Sequence, residues 1–361
     1  MEVNEKEGGS SLDFLFTKIY SSVFSALMLV LLISFISKPG LSLADISNGF
    51  RWKSNLITLY SSVRFKIGDR VFNTALVGKD GWIFYTGDHS MQDYQKIDTL
   101  DKKSLITLVE KINQLDKELE YEGKILLIVI PPNKSTIYPQ YMPDEIPVIG
   151  KGSRLDLFSN YLKNNTQVHI VDLAPVLLDS SKTQNLYFKI DTHWNDLGAY
   201  YGYREIMSLL TSYDPRLIPH PLSDYKYIRQ DDLINPDLPR VLGIPPIKEE
   251  YRALIPKFPV QKTQTLNLNL ANGAYISNLK GQDDRLPTLL IFHDSFYSAR
   301  SSLSHFMEPH FSKITGILFT QDPKIWSLNW IQQEDPDIVI IEIVERNFDT
   351  GLSLLLDGVS K

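Results

Sequence analysis

Five short, predominantly apolar runs limit what this chain can fold into more than anything else in it. They lie at residues 125–130 (Ile-Leu-Leu-Ile-Val-Ile), 167–171, 288–292, 314–319 and 338–344. A strand with one wet face alternates apolar and polar residues, whereas a strand covered on both faces reads as a continuous apolar run. Between these runs lie longer stretches of helical character, at 100–121, 154–164, 195–212 and 296–311. Strands that alternate with helices must be joined by crossovers. The pattern predicts an α/β fold, a doubly wound parallel sheet with helices on both faces. Residues 215–287 interrupt it. They are rich in proline without a strong helical period, and predict a β-rich or irregular insertion that either shapes a groove or lies idle on the surface.

In open sheets of this kind, ligands bind beyond the carboxyl ends of the strands. Two segments expected there carry complementary chemistry: Asp191-Thr192-His193-Trp194-Asn195 and Phe292-His293-Asp294-Ser295-Phe296. A serine hydroxyl becomes a useful nucleophile when an imidazole takes its proton and a carboxylate orients the ring. Ser295 is read as nucleophile, His193 as base and Asp191 as its orienting partner. Asp191 and His193 are two residues apart, so in an extended segment both side chains leave on one side. Asn195 or Asp196 is the expected N-cap of the following helix. Ser295 ends a predicted strand, where its backbone amide would face an oxyanion.

Asp191, His193, His293 and Asp294 are also metal-ligand types, but no recognised ligand spacing supports a metal site, and none is expected. Asn133 is a candidate oxyanion donor, Lys134 a candidate contact to an anionic sugar, and Tyr297 a candidate stacking surface with Trp82, Tyr85, Tyr138 and Tyr141. Arg346, after the last strand, is expected either to reach the site edge or to pair with Glu342 or Glu345.

Composition narrows the function classes. With 43% hydrophobic and 22% charged residues the chain is that of a folded protein, and a net charge of −6 without a basic stripe argues against nucleic-acid binding. It has no cysteine, which excludes disulfides and Cys-based zinc sites. No Gly-rich phosphate loop is present, so no nucleotide cofactor is expected. No charged residue falls between Lys18 and Lys38. That run predicts a single membrane anchor at 19–37, after a cytoplasmic tail at 1–18 and before a connector at 38–69.

Both motif segments resemble signatures of the alginate O-acetyltransferase family (AlgJ/AlgX type), whose catalytic domain resembles the SGNH hydrolases. Three further stretches are similar in the same order: Val77 to Tyr85 with its Gly-Trp-aromatic core, Ile130 to Pro139, and Pro336 to Arg346. His293 departs from the glycine that SGNH relatives often carry before Asp-Ser, and places a side chain beside the nucleophile. The resemblance implies a catalytic domain over 70–361, with Asp191, His193 and Ser295 as its catalytic residues. It further implies acetyl transfer to a polysaccharide acceptor. The acetyl group would come from a multi-pass membrane O-acyltransferase, and the domain would face the periplasm from the inner membrane. A carbohydrate acetylesterase using the same triad, a non-catalytic polysaccharide-assembly subunit and a metallohydrolase are the rival readings.

Overall fold

The computed structural model describes residues 18–26, 28–30, 53–98, 100–233, 235–259, 264–269, 275–280, 283–298, 303–322 and 324–357, the stretches 264–269 and 275–280 by backbone alone. The chain divides into two compact units, Met1–Val63 and Arg64–Lys361. In the first, residues 18–26 and 28–30 are helical, and a helix begins at Lys53. The expected membrane anchor, and with it the single-pass inner-membrane location, is overturned. No helix among the described residues is long and apolar enough to cross a membrane. The helical residues within 18–30 rise by at most about 20 Å, against a hydrocarbon core of about 30 Å. Residues 27 and 31–37 of the expected anchor lie outside the described residues.

The second unit is built on a seven-stranded sheet. Its strands, numbered along the chain with those of two smaller sheets, are β3 (Ile125–Ile130), β4 (His169–Asp172), β7 (Gln264–Asn269), β8 (Tyr275–Lys280), β9 (Thr288–His293), β10 (Lys313–Leu318) and β11 (Ile338–Glu342). Their order is β4-β3-β11-β9-β10-β8-β7. The first five run parallel, and β8 and β7 add antiparallel at the β10 edge. The α/β class with a parallel sheet is therefore present.

The continuous apolar runs are explained by two cores. Leu127 and Val129 of β3, Leu289 and Ile291 of β9, and Ile338 and Ile340 of β11 face one core. Their alternates Leu126, Ile128, Leu290, Phe292, Val339 and Ile341 face the other. Helices Asp196–Thr211 and Leu303–Met307 cover the first face, and Lys102–Tyr121, Arg154–Asn165 and Phe348–Asp357 cover the second. Each fully buried aliphatic side chain contributes about 1.5–3 kcal/mol relative to exposure.

Helix Lys102–Tyr121 buries Leu105, Leu108, Val109, Ile112, Leu115 and Leu119, and the Asp101 carboxylate caps it by accepting from the amides of Lys103 and Ser104. Ser153 and Asp156 form a reciprocal capping box at the start of Arg154–Asn165.

The proline-rich stretch is not idle. It supplies β7 and β8 to the main sheet and, between them and the preceding helix, an antiparallel hairpin of β5 (Tyr225–Gln230) and β6 (Tyr251–Pro256). That hairpin is anchored where the Leu254 amide donates to Asp196 Oδ2 at 2.8 Å. A third sheet pairs β1 (Ala75–Val77) with β2 (Ile83–Tyr85). Of the helix expected at 296–311, Ser295–Ser298 and Leu303–Met307 are helical and Glu308–His310 forms a 3-10 turn, with 299–302 outside the described residues. Helix Phe348–Asp357 was not anticipated. Its Phe348, Leu352, Leu355 and Leu356 repeat at helical spacing and close the second core.

Candidate active site

The carboxyl ends of β3, β11 and β9 lie side by side, and their loops are tied together by hydrogen bonds. The Glu345 amide donates to the Pro131 carbonyl at 2.8 Å, and the Asn133 amide to Glu345 Oε2 at 2.8 Å. Asp294 bridges the other pair, its Oδ2 accepting from the Val344 amide and its Oδ1 from the Phe296 amide, each at 2.8 Å. Ser295 therefore sits on a turn whose flanks are held from both directions.

Onto this edge folds the loop between Tyr187 and Trp194, which are paired across an antiparallel bridge. Asp191 and His193 lie in a bend, not in the extended segment that their spacing suggested. Asp191 Oδ1 accepts from the His193 amide at 3.1 Å, an Asx turn, and from His193 Nδ1 at 2.7 Å. The carboxylate is an acceptor only, so Nδ1 carries the ring proton and Nε2 presents its lone pair. Nε2 lies 2.8 Å from Ser295 Oγ. The structure thus brings the three expected residues into one chain of contacts. Burial opposes ionisation of Asp191, but the His193 hydrogen bonds and charge outweigh it and lower its carboxyl to about 2.

The loop's backbone is held from within and from outside. Lys134 is buried, and its Nζ donates to the carbonyls of Phe188, Lys189 and Asp191 at 3.1, 3.0 and 2.8 Å. The Glu249 carboxylate accepts the amides of Lys189 and Ile190. Asp237 accepts from the amide and the hydroxyl of Thr192, and its own amide donates to Asp191 Oδ2 at 3.1 Å. Asn195 caps the next helix, accepting from Leu197 and Gly198 amides at 3.1 Å. A Cβ on Gly198 would come within 2.3 Å of the Leu186 carbonyl, so that helix can dock only on a bare α-carbon.

Phe296 pins the two halves of the site together. Its buried ring packs 5.0 Å from the His193 ring and 5.1 Å, edge-on, from Trp194. Beneath the turn, Glu342 is wholly buried, and burial followed by the nearby Asp294 charge raises its carboxyl. His293 is also buried, which lowers its imidazole to about 4, and its Nδ1 donates to the Asp294 carbonyl at 2.8 Å.

Several expectations about the remaining residues change. Lys134 is not available to an anionic sugar, because its ammonium is spent on three carbonyls. Tyr297 is not a stacking surface. It is 2% exposed, packs on His293, and its hydroxyl has no partner among the described residues. Trp82 and Tyr138 are core residues in tilted ring contact, while Tyr85 and Tyr141 keep partial exposure, Tyr141 stacking on Trp82. Asn133 is buried, and its side-chain amide donates to Asp93 at 3.5 Å. Asp93 in turn pairs with buried Arg154, which reaches Asp349 and the Arg346 carbonyl.

Arg346 shows no ion pair with Glu342 or Glu345 among the described residues; its Nε lies 3.8 Å from Asp88. Its guanidinium stands 5.2 Å over the Tyr85 ring and 5.9 Å from that of Phe296, the ring that packs on His193. Sequence reasoning missed Asp237, Glu249 and Phe296 as supports.

Asp191, His193 and Asp237 offer ligand-type atoms within 4.8 Å of one another. These atoms already bond to each other and to Thr192, and an ion taken up through His193 Nδ1 would break the Asp191–His193 bond.

Comparison with known proteins places this architecture. The Probable alginate O-acetylase AlgJ of Pseudomonas syringae pv. tomato is 24% identical over 143 residues, which are 39% of this chain. The match spans only about a third (34%) of that relative's length. PatB1 of Bacillus cereus superposes with a TM-score of 0.53 at 16% identity, over 77% of this chain and 96% of that one. A DHHW family protein from Eubacterium siraeum gives 0.51 at 15% identity, over 79% and 96%. These two likenesses show a shared fold. The model of the SGNH hydrolase-like domain of acetyltransferase AlgX matches residues 75–268, which include Asp191 and His193 and stop short of Ser295. With more than half of its residues matched, the chain belongs to the family of SGNH hydrolase-like, AlgX-type acetyltransferase domains.

Proposed function

We propose that this chain is an O-acetyltransferase that moves an acetyl group through Ser295 to the hydroxyl groups of a polysaccharide. The observation that carries the reading is the single imidazole of His193 lying 2.7 Å from Asp191 and 2.8 Å from Ser295. The family's acetyltransferase character and the relative named as a probable alginate O-acetylase support the acyl group and the acceptor.

In the proposed first half-reaction, His193 Nε2 takes the Ser295 proton as Oγ bonds to the acetyl carbon. The donor's alkoxide leaves with that proton, and the acetyl group stays on Ser295. A sugar hydroxyl then attacks, losing its proton to His193, which returns it to Ser295 Oγ as the ester leaves. Asp191 stabilises the imidazolium in both halves. The Ser295 amide is the proposed oxyanion donor, and Arg346 with half-exposed Tyr85 the proposed contact to the acceptor. An acetyl donor delivered by a membrane O-acyltransferase fits the absence of a nucleotide-binding motif in the sequence.

The test is intact-mass and peptide mass spectrometry after incubation with p-nitrophenyl acetate and then oligosaccharides. An acetyl adduct on Ser295 that passes to sugar is expected. An adduct released only to water indicates an esterase. No adduct, with polymer acetylation undiminished in a Ser295→Ala strain, indicates an assembly subunit. Activity that survives Ser295→Ala and is lost to a chelator indicates a metallohydrolase.

A further inference from the structure

We propose that Lys134 is a positioning residue for this chemistry, its ammonium acting as the internal strut of the loop that carries Asp191 and His193. The inference rests on the Ser295–His193 reading above and adds to it the group that sets where His193 stands.

A loop that reverses direction points several carbonyls inward, and buried carbonyls without donors are costly. Here three of them, at Phe188, Lys189 and Asp191, converge on one Nζ at 3.1, 3.0 and 2.8 Å. An ammonium has three protons, which matches the three acceptors one for one. The third carbonyl belongs to the residue whose carboxylate fixes the His193 ring, so moving Nζ moves Asp191 directly.

The lysine stem comes from the opposite wall. Lys134 opens the short helix Lys134–Ile137 after β3, and its ammonium also stands 5.8 Å from the Trp82 ring and 5.4 Å from that of Phe84. One side chain thereby ties the β3 loop, the β2 region and the Asp191 loop into a single unit. No carboxylate forms an ion pair with Lys134 among the described residues. Asp237, Asp191 and Glu249 act on it through space, and Lys189 Nζ also approaches Trp82, 6.0 Å from that ring.

The balance of these groups leaves the ammonium less firmly charged than an ordinary lysine. Burial lowers it to about 8, against the raising effect of Asp237, Asp191 and Glu249. The neutral amine has two protons for three carbonyls, so raising the pH releases one anchor of the loop. The positioning role accordingly predicts a loss of acetylation rate on the alkaline side that belongs to neither Ser295 nor His193.

The experiment uses the full chain and the rate of Ser295 acetylation by p-nitrophenyl acetate, read by mass spectrometry across pH. In the unsubstituted chain the rate is expected to fall with a midpoint near pH 8. A rate that stays level to about pH 10, where ordinary lysines titrate, overturns the proposal. In Lys134→Met, kcat is expected to drop about 100-fold, as misplacement of a catalytic group by an ångström does. KM should stay within about twofold, since acetyl-ester contacts are untouched. Folded Lys134→Met with parental kcat also overturns it. If the variant does not fold, the pH profile of the unsubstituted chain decides alone. A Ser295 that never acetylates defeats the underlying reading instead, which separates the two failures.

Discussion

The main-chain amide of Asp294 donates to Glu342 Oε2 across 3.0 Å, one residue before the hydroxyl that meets His193. Glu342 is buried at the end of β11, and burial together with the Asp294 charge favours its neutral form. A neutral isostere should therefore serve as well. Glu342→Gln is expected to leave unfolding free energy at neutral pH within about 0.5 kcal/mol of the parent. Glu342→Leu removes the acceptor and should cost about 1–3 kcal/mol. Urea denaturation of both variants checks this, and a Gln variant as unstable as the Leu variant refutes it.

Glu345 gives a pH prediction with a definite sign. Burial, then the Asp93 charge, raises its carboxyl from 4.5 to about 7. Between those values the folded chain holds a proton that the unfolded chain has released, so stability declines as pH rises through that window. Glu345→Gln keeps a carbonyl oxygen for the Asn133 amide and the Thr136 hydroxyl and cannot ionise. Its melting temperature is expected to exceed the parent's at about pH 8 and to match it at about pH 5. Equal losses at both pH values would count against the assignment.

Phe296 is expected to matter for both stability and rate. Its buried ring packs against both Trp194 and His193. Phe296→Ala should destabilise by about 3–5 kcal/mol. Phe296→Leu should lose less stability and still lower Ser295 acetylation, because the ring that spaces His193 from the turn is gone. Calorimetry and the acetylation assay separate the two effects.

Asp191→Asn keeps one carbonyl oxygen, so it can accept from the His193 amide or the Asp237 amide but not both, since these use different carboxylate oxygens. The ring tautomer is no longer held, and a fall in kcat of about 10⁴ is expected, with a lower melting temperature from the lost acceptor. A variant within tenfold of the parent would show that Asp191 does not orient the His193 ring for the reaction.

Tyr297→Phe removes a buried hydroxyl that has no partner among the described residues. Nothing is lost on folding, so stability should hold or rise by about 1 kcal/mol, with acetylation unchanged. A large drop in acetylation with retained folding would return Tyr297 to the site.

The parallel strands were legible because burial on both faces removes polar residues from them, and the β3 run at 125–130 coincides with the observed strand. Asn195 could be read as a cap because its role is local. The companions of the site could not be read this way. Asp237 and Glu249 come from the proline-rich stretch, where no periodicity marks a residue that will fold back onto a loop some fifty residues earlier. A lysine is ordinarily a surface residue, and Lys134 is buried only because a tertiary loop supplies three acceptors. The contact of Asp191 with His193 was anticipated from a wrong local geometry. An i to i+2 meeting arises in extended chain and in an Asx turn alike, and spacing alone cannot choose between them.

Since Asp191 grips both the ring and the amide of His193, the base and its partner meet within three consecutive residues. The nucleophile reaches them only by a long-distance rendezvous, between that loop and the tip of β9 about a hundred residues later. Sliding β9 by one position along β11 would carry the serine out of reach while leaving every side chain of the centre intact. Strand alignment, more than the identity of any one group, is then where this chain is most easily silenced.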